Sequence, residues 1–143
     1  MIHYQKILDK NMLNVFKDIL INIRDNGLSS NNSLYVTFST NHKNVEIPNE
    51  LKQKYPGEMT IVIQYEYYDL KINKNNFSIT LSFNDIKTNV TIGYNSIISF
   101  ADPSANFGLI LQKNKIKKKL TKNFENHKSN TDNVINFSNF KKN

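Results

Sequence analysis

The run Phe77-Ser78-Ile79-Thr80-Leu81-Ser82-Phe83-Asn84-Asp85-Ile86-Lys87-Thr88-Asn89-Val90-Thr91-Ile92 decides the fold. Phe77, Ile79, Leu81 and Phe83 alternate with small hydroxyl residues, the period-two signature of a half-buried strand. Asn84-Asp85 supplies two residues that tolerate positive φ, which a tight hairpin turn requires. Ile86, Thr88, Val90 and Ile92 then repeat the alternation on the return strand. A hairpin with one apolar face needs more strands or a helix to cover that face.

Both lie upstream. Met59, Ile61, Ile63, Tyr65 and Tyr67 alternate with Thr60, Val62, Gln64 and Glu66, and predict one long strand running on through Leu70 and Ile72. It is expected to bend or bulge at Tyr67-Tyr68-Asp69. Lys74-Asn75-Asn76 reads as a turn. Leu34, Val36 and Phe38 predict an earlier strand, and Val45 and Ile47 an extended segment ended by Pro48. Residues 49–55 predict one or two helical turns before the Pro56-Gly57 turn. Downstream, residues 94–100 read as a short helical turn, and Phe107, Leu109 and Leu111 as a last strand. At the N-terminal end, Tyr4, Leu8, Met12, Val15, Ile19 and Ile23 recur at spacings of three and four, widened by Ile7, Phe16 and Leu20, and predict an amphipathic helix over 4–25. Asn26-Gly27 stops it. The stripe is wide enough to bury two faces, one against the sheet and one against a second subunit. Leu8, Met12, Val15, Phe16 and Ile19 are the expected dimer contacts.

The expected fold is therefore mainly β (α+β): a small, strongly bent antiparallel barrel capped by the helix, which hides its strand edges by curling. Residues 1–112 form this domain, and 113–143 a basic tail. The tail holds nine lysines and two acids, a net of +7, which equals the net charge of the whole chain. Residues 1–112 sum to zero. The tail's Asn, Lys, Ser and Thr cannot bury enough apolar surface to order themselves. Yet it closes on Val134-Ile135-Asn136-Phe137-Ser138-Asn139-Phe140-Lys141-Lys142, apolar residues that read as a docking peptide for another protein.

Several classes are disfavoured by the residues. There is no cysteine, so disulfide and thiolate–metal frameworks are excluded and a reducing, cytoplasmic setting is expected. No secretory signal and no apolar run of spanning length is visible, so no membrane partner is expected. His3, His42 and His127 lie apart from one another, no phosphate-binding Gly motif or nucleophile elbow occurs, and neither catalysis nor a cofactor nor a metal is expected. An RNA-binding barrel helped by the lysine tail is the alternative reading. Against it stand the neutral body, a single arginine (Arg24) and the acids interleaved in Tyr65-Glu66-Tyr67-Tyr68-Asp69. Asparagine makes up about one residue in six, as AT-rich coding alone would produce, so single surface Asn or Lys residues carry little weight.

Two segments carry a resemblance: Glu58-Met59-Thr60-Ile61-Val62-Ile63-Gln64-Tyr65-Glu66-Tyr67-Tyr68-Asp69-Leu70 and Ser99-Phe100-Ala101-Asp102-Pro103-Ser104-Ala105-Asn106-Phe107-Gly108-Leu109. With Leu34-Tyr35-Val36-Thr37-Phe38, Val45-Glu46-Ile47-Pro48 and Phe77–Phe83 at matching spacing, the chain resembles the SspB family in its alphaproteobacterial form. The resemblance implies an Sm-like barrel, an N-terminal dimerisation helix, and a delivery adaptor in place of an enzyme. Such adaptors bind the ssrA degradation tag and tether the tagged protein to the ClpX unfoldase of ClpXP. It implies that Val134, Ile135, Phe137, Phe140, Lys141 and Lys142 dock on ClpX, and that a groove in the bent sheet holds the tag as an extended peptide. The groove residues expected are Ile63, Tyr65, Tyr67, Leu81, Phe83, Phe100, Asp102 and Phe107, with Gln64 and Ser104 as polar contacts. Burying the tip's apolar side chains stabilises by roughly 1.5–3 kcal/mol each, and ordering the segment costs about 2–5 kcal/mol. The resulting contact is weak, on the order of 10–100 μM.

Overall fold

The computed structural model describes residues 1–111; the tail and its tip, Val134 to Lys142, lie outside the described residues. The order is α1 (Tyr4–Asn26), β1 (Leu34–Ser39), α2 (Asn49–Lys54), β2 (Glu58–Ile63), β3 (Tyr67–Ile72), β4 (Asn76–Phe83), β5 (Ile86–Gly93), a 3-10 turn (Tyr94–Ser96), β6 (Ile97–Asp102), a second 3-10 turn (Pro103–Ala105) and β7 (Phe107–Ile110).

Among the described residues the strands form two antiparallel sheets, one ordered β2-β1-β6-β7 and one ordered β3-β4-β5. The strands expected to curl into one small, strongly bent barrel form this pair of sheets, with no closed barrel among the described residues. The cause is a break in the long strand predicted over residues 59–72. Met59, Ile61 and Ile63 point inward, but Tyr65, next in the alternation, is 74% exposed. β2 ends at Ile63 in the first sheet, and β3 restarts at Tyr67 in the second. The irregularity expected near Tyr67-Tyr68-Asp69 is present: the β3–β4 register shifts between Tyr68 and Lys71, and Asp69 has φ 52°.

The deciding hairpin forms as read, with Phe83 opposite Ile86 and both Asn84 and Asp85 at positive φ, 51° and 66°. Residues 94–100 depart from expectation. The helical turn covers only Tyr94–Ser96, and β6 begins at Ile97. β6 lies between β1 and β7, so Ile97, Ile98, Phe100 and Ala101 are all buried. A central strand covered on both faces loses the in–out alternation that marks a strand in sequence.

α1 stops where Gly27 takes φ 78° and its N–H donates to the Ile23 carbonyl at 2.8 Å. It buries Met12, Phe16, Leu20 and Ile23, one face of a 3.6-residue period. The Phe16 ring lies 5.6 Å edge-on from Phe77 of β4 and 4.9 Å from Phe100 of β6. One side chain thus joins the helix to both sheets, and all three share a single core. Met12 and Phe16, expected at a dimer contact, are enclosed by the chain's own sheets. Leu8 and Val15 remain exposed.

Phe16→Ala should cost about 3–5 kcal/mol of unfolding free energy, while Val15→Ala, one residue away on the open face, should cost under about 0.5 kcal/mol. Urea melts of the two variants test this, and similar losses in both would contradict the assignment of core and open faces.

Candidate peptide-binding groove

The strand register brings three connecting segments to one end of the larger sheet. Leu34 opposes Ile63, Tyr35 opposes Ala101, and Asp102 opposes Phe107. The 28–33 loop, the start of the β2–β3 connection and the β6–β7 turn therefore emerge side by side. Between the 28–33 loop, the β6–β7 turn and the C-terminal half of α1 lies a cavity of about 640 Å³. Val15, Asp18, Ile19 and Asn22 line it from the helix, Leu28, Ser29 and Asn32 from the loop, and Asp102, Ala105 and Phe107 from the turn. Its apolar floor carries polar groups at the rim, the usual composition of a ligand site. The two charged side chains in the lining, Asp18 and Asp102, are both acidic.

Asp102 organises the rim. The chain leaves β6 at this residue and enters the turn through Pro103, whose fixed φ suits the first turn position. The Asp102 Oδ1 accepts from the backbone N–H of Ser104 at 3.1 Å, that of Ala105 at 3.3 Å, and the Ser104 hydroxyl at 2.6 Å. The Asp102 Oδ2 accepts from Asn32 Nδ2 at 2.7 Å. The Ser29 hydroxyl in turn donates to the Asn32 side-chain oxygen. Asn106 ends the turn at φ 54°, and Phe107 follows, 39% exposed, with its ring 6.1 Å from that of Phe100. At the other end of the loop, the Leu28 N–H donates to the Tyr67 hydroxyl at 3.0 Å. The loop is thus held at both ends by side chains from different sheets.

Burial pushes the Asp102 carboxyl up, and this is the largest single influence on it. Hydrogen bonds from Ser104, Asn32 and the backbone N–H groups of Ala105 and Ser33 together outweigh burial, and hold its pKa below the ordinary value of 3.8.

The structure sorts the sequence-predicted site residues into three groups. Asp102 and Phe107 line the groove, with Ser104 hydrogen-bonded to Asp102. Ile63, Leu81 and Phe100 are buried in the core; Tyr67 and Phe83 are partly buried against it, with the Tyr67 hydroxyl engaged by the loop. Gln64 and Tyr65 lie in the β2–β3 connection, Gln64 partly buried and Tyr65 exposed. Two residues expected at a dimer contact, Val15 and Ile19, line the groove. Sequence reasoning missed Asp18, Asn22, Leu28 and Asn32. For Asn32 no local signal exists, since its partner is 70 residues away. For Asp18 and Asn22 the signal was present: Asp18 lies three residues after Val15 and Asn22 three after Ile19, on the same helix face.

The family model for SspB, stringent starvation protein B, matches residues 7–142. The chain belongs to the SspB family. The match takes in α1 from Ile7, every strand, and the chain beyond Leu111 through Lys142. No curated protein matches the chain. SspB membership implies an adaptor role toward ssrA-tagged substrates of ClpXP. Among the described residues no group of three His, Cys, Asp or Glu side chains is placed to hold a metal ion, and no helix is long and apolar enough to cross a membrane.

Because the folded-state pKa of Asp102 is depressed, its contribution to stability is present above 3.8 and is lost as pH falls through the lower folded value. The Asp102→Asn variant should therefore be less stable than wild type at neutral pH and should lose less on acidification from about pH 5 to pH 2. Urea midpoints across that range check this; parallel acid limbs would contradict it.

Proposed function

We propose that the chain is a cytoplasmic adaptor that holds ssrA-type tags in the groove between α1, the 28–33 loop and the β6–β7 turn, and hands tagged proteins to ClpX through its tail. The observation that carries this is the groove itself. In a chain of an adaptor family, an open cleft combines apolar side chains (Val15, Ile19, Leu28, Phe107) with a fixed polar rim (Asn22, Asn32, Asp102). An extended peptide needs both: pockets for its apolar side chains and hydrogen-bonding partners for its amides. Asp102, Ser104 and Phe107 are the predicted contacts nearest this role, with Gln64 and Tyr65 leaving the same sheet end. Ile63, Leu81 and Phe100 shape the site from beneath.

RNA binding is not favoured as a second reading. The charged side chains in the groove lining are acids, and phosphate repels them.

The tip residues Val134, Ile135, Phe137, Phe140, Lys141 and Lys142 are assigned to ClpX docking, supported by their chemistry and by a family match that runs through Lys142. Self-association is assigned to the first half of α1, where Tyr4, Ile7 and Leu8 are exposed. Leu8→Asp should give a monomer in sedimentation equilibrium; an unchanged mass would remove this face from the dimer.

A labelled tag peptide should bind the full chain saturably in fluorescence anisotropy. Phe107→Ala, or Val15→Asp, should weaken that binding about tenfold or more without lowering the urea midpoint appreciably. Unaltered affinity in both variants would place the tag elsewhere. In a ClpXP degradation assay with a tagged reporter, the full chain should accelerate turnover. The Phe137→Asp/Phe140→Asp variant should bind tag at least as well and accelerate nothing; full stimulation by it would reject the tip's role.

A further inference from the structure

The groove and the tail are opposites in charge. The charged side chains of the groove lining, Asp18 and Asp102, are acidic, in a body whose first 112 residues sum to zero. All the net charge of the chain, +7, sits after residue 112. The tail also carries the right apolar groups: Phe137 and Phe140 lie within three residues of one another and are followed directly by Lys141 and Lys142. This is the pairing of apolar anchor and cation that an apolar cleft with an acidic rim selects.

We propose that residues 134–142 dock in this groove of their own chain and compete there with the tag. The competition rests on the reading of the groove as the tag site; the docking itself does not.

Chain length permits it. Phe107 lies at the groove end of β7, and Leu111, where the tail departs, is four residues further along, a distance of roughly 13 Å for a strand. Residues 112–133 provide a spacer of 22 residues, and a coil of that length spans roughly 25 Å on average. The spacer therefore covers the return path. A tether of this kind gives an effective concentration of about 1 mM, so a tip with a Kd of about 0.1 mM weakens apparent tag affinity about tenfold.

The tip then has two destinations that exclude each other. When an unfoldase captures it, the groove is released, and tag affinity rises by the same factor that the competition removed. Tag binding is strongest where the tag can be handed on.

Two measurements on the full chain test this. In the first, a labelled synthetic peptide of residues 134–143 is titrated with the Phe137→Asp/Phe140→Asp variant, whose own tip is disabled. Saturable binding is expected, several-fold weaker when Asp18→Asn is added and when salt is raised from about 50 to about 300 mM. No binding up to millimolar protein, or binding indifferent to Asp18→Asn, overturns the proposal. In the second, a labelled ssrA-type peptide is titrated with wild type and with the same double variant. The variant should bind about tenfold more tightly, by a factor independent of protein concentration. Equal affinities overturn the competition, and a factor that grows with protein concentration assigns the docking to a neighbouring chain and overturns the cis contact. If neither protein binds the ssrA-type peptide, the tag reading of the groove fails, and the first titration still decides whether the tip docks there.

Discussion

The ring of Phe16 touches Phe77 in one sheet and Phe100 in the other, and the architecture depends on that contact. Each sheet is small and has an apolar face to cover. Neither has a closed edge-to-edge circuit among the described residues, so the two are held together by what lies between them. α1 supplies this with Met12, Phe16, Leu20 and Ile23. Complete burial of one such side chain stabilises by roughly 1.5–3 kcal/mol, and edge-on aromatic pairs add about 0.5–1.5 kcal/mol each. Because Phe16 must face inward, the rotation of the helix is set. Val15, Asp18, Ile19 and Asn22 are then forced toward the cleft beside the β6–β7 turn. The core contact therefore decides the chemistry of the groove wall.

The rim is fixed by different means. The loop after α1 has few apolar residues to bury, and it is held by hydrogen bonds from its two ends to Tyr67 and Asp102. Both partners looked, from sequence, like polar groups waiting for a peptide. In the fold they spend hydrogen-bonding capacity on the loop, and in doing so they shape the cleft that a peptide would enter. Asp102 does both, since it ties the loop and lines the groove.

What the sequence made legible follows from how far each signal reaches. The 77–92 hairpin is local: alternation and two residues tolerant of positive φ specify it completely, and it forms as read. The helix is legible from its period, and its end from Gly27. The break between β2 and β3 was hidden because Tyr65 fits the alternation by type, while its amphipathic ring is equally at home in solvent. β6 was hidden because a strand buried on both faces has no alternation to show. The groove itself was half legible. Asp102 and Phe107, expected in a groove through a resemblance between segments, line this one; that Val15 and Ile19 line it too was not legible, because a stripe does not reveal which of its flanks a neighbouring turn will cover. Asn32 meets Asp102 only through the fold.

The proposed function puts an ssrA-type peptide in the cleft between α1 and the β6–β7 turn. Photo-crosslinking tests it most directly, with a tag peptide carrying a benzophenone side chain and the attachment sites mapped by mass spectrometry. Adducts are expected within residues 15–22 of α1 and at residues 105–107, suppressed by excess unlabelled tag. Specific adducts confined to the β4–β5 hairpin, or to the N-terminal turns of α1, would contradict it.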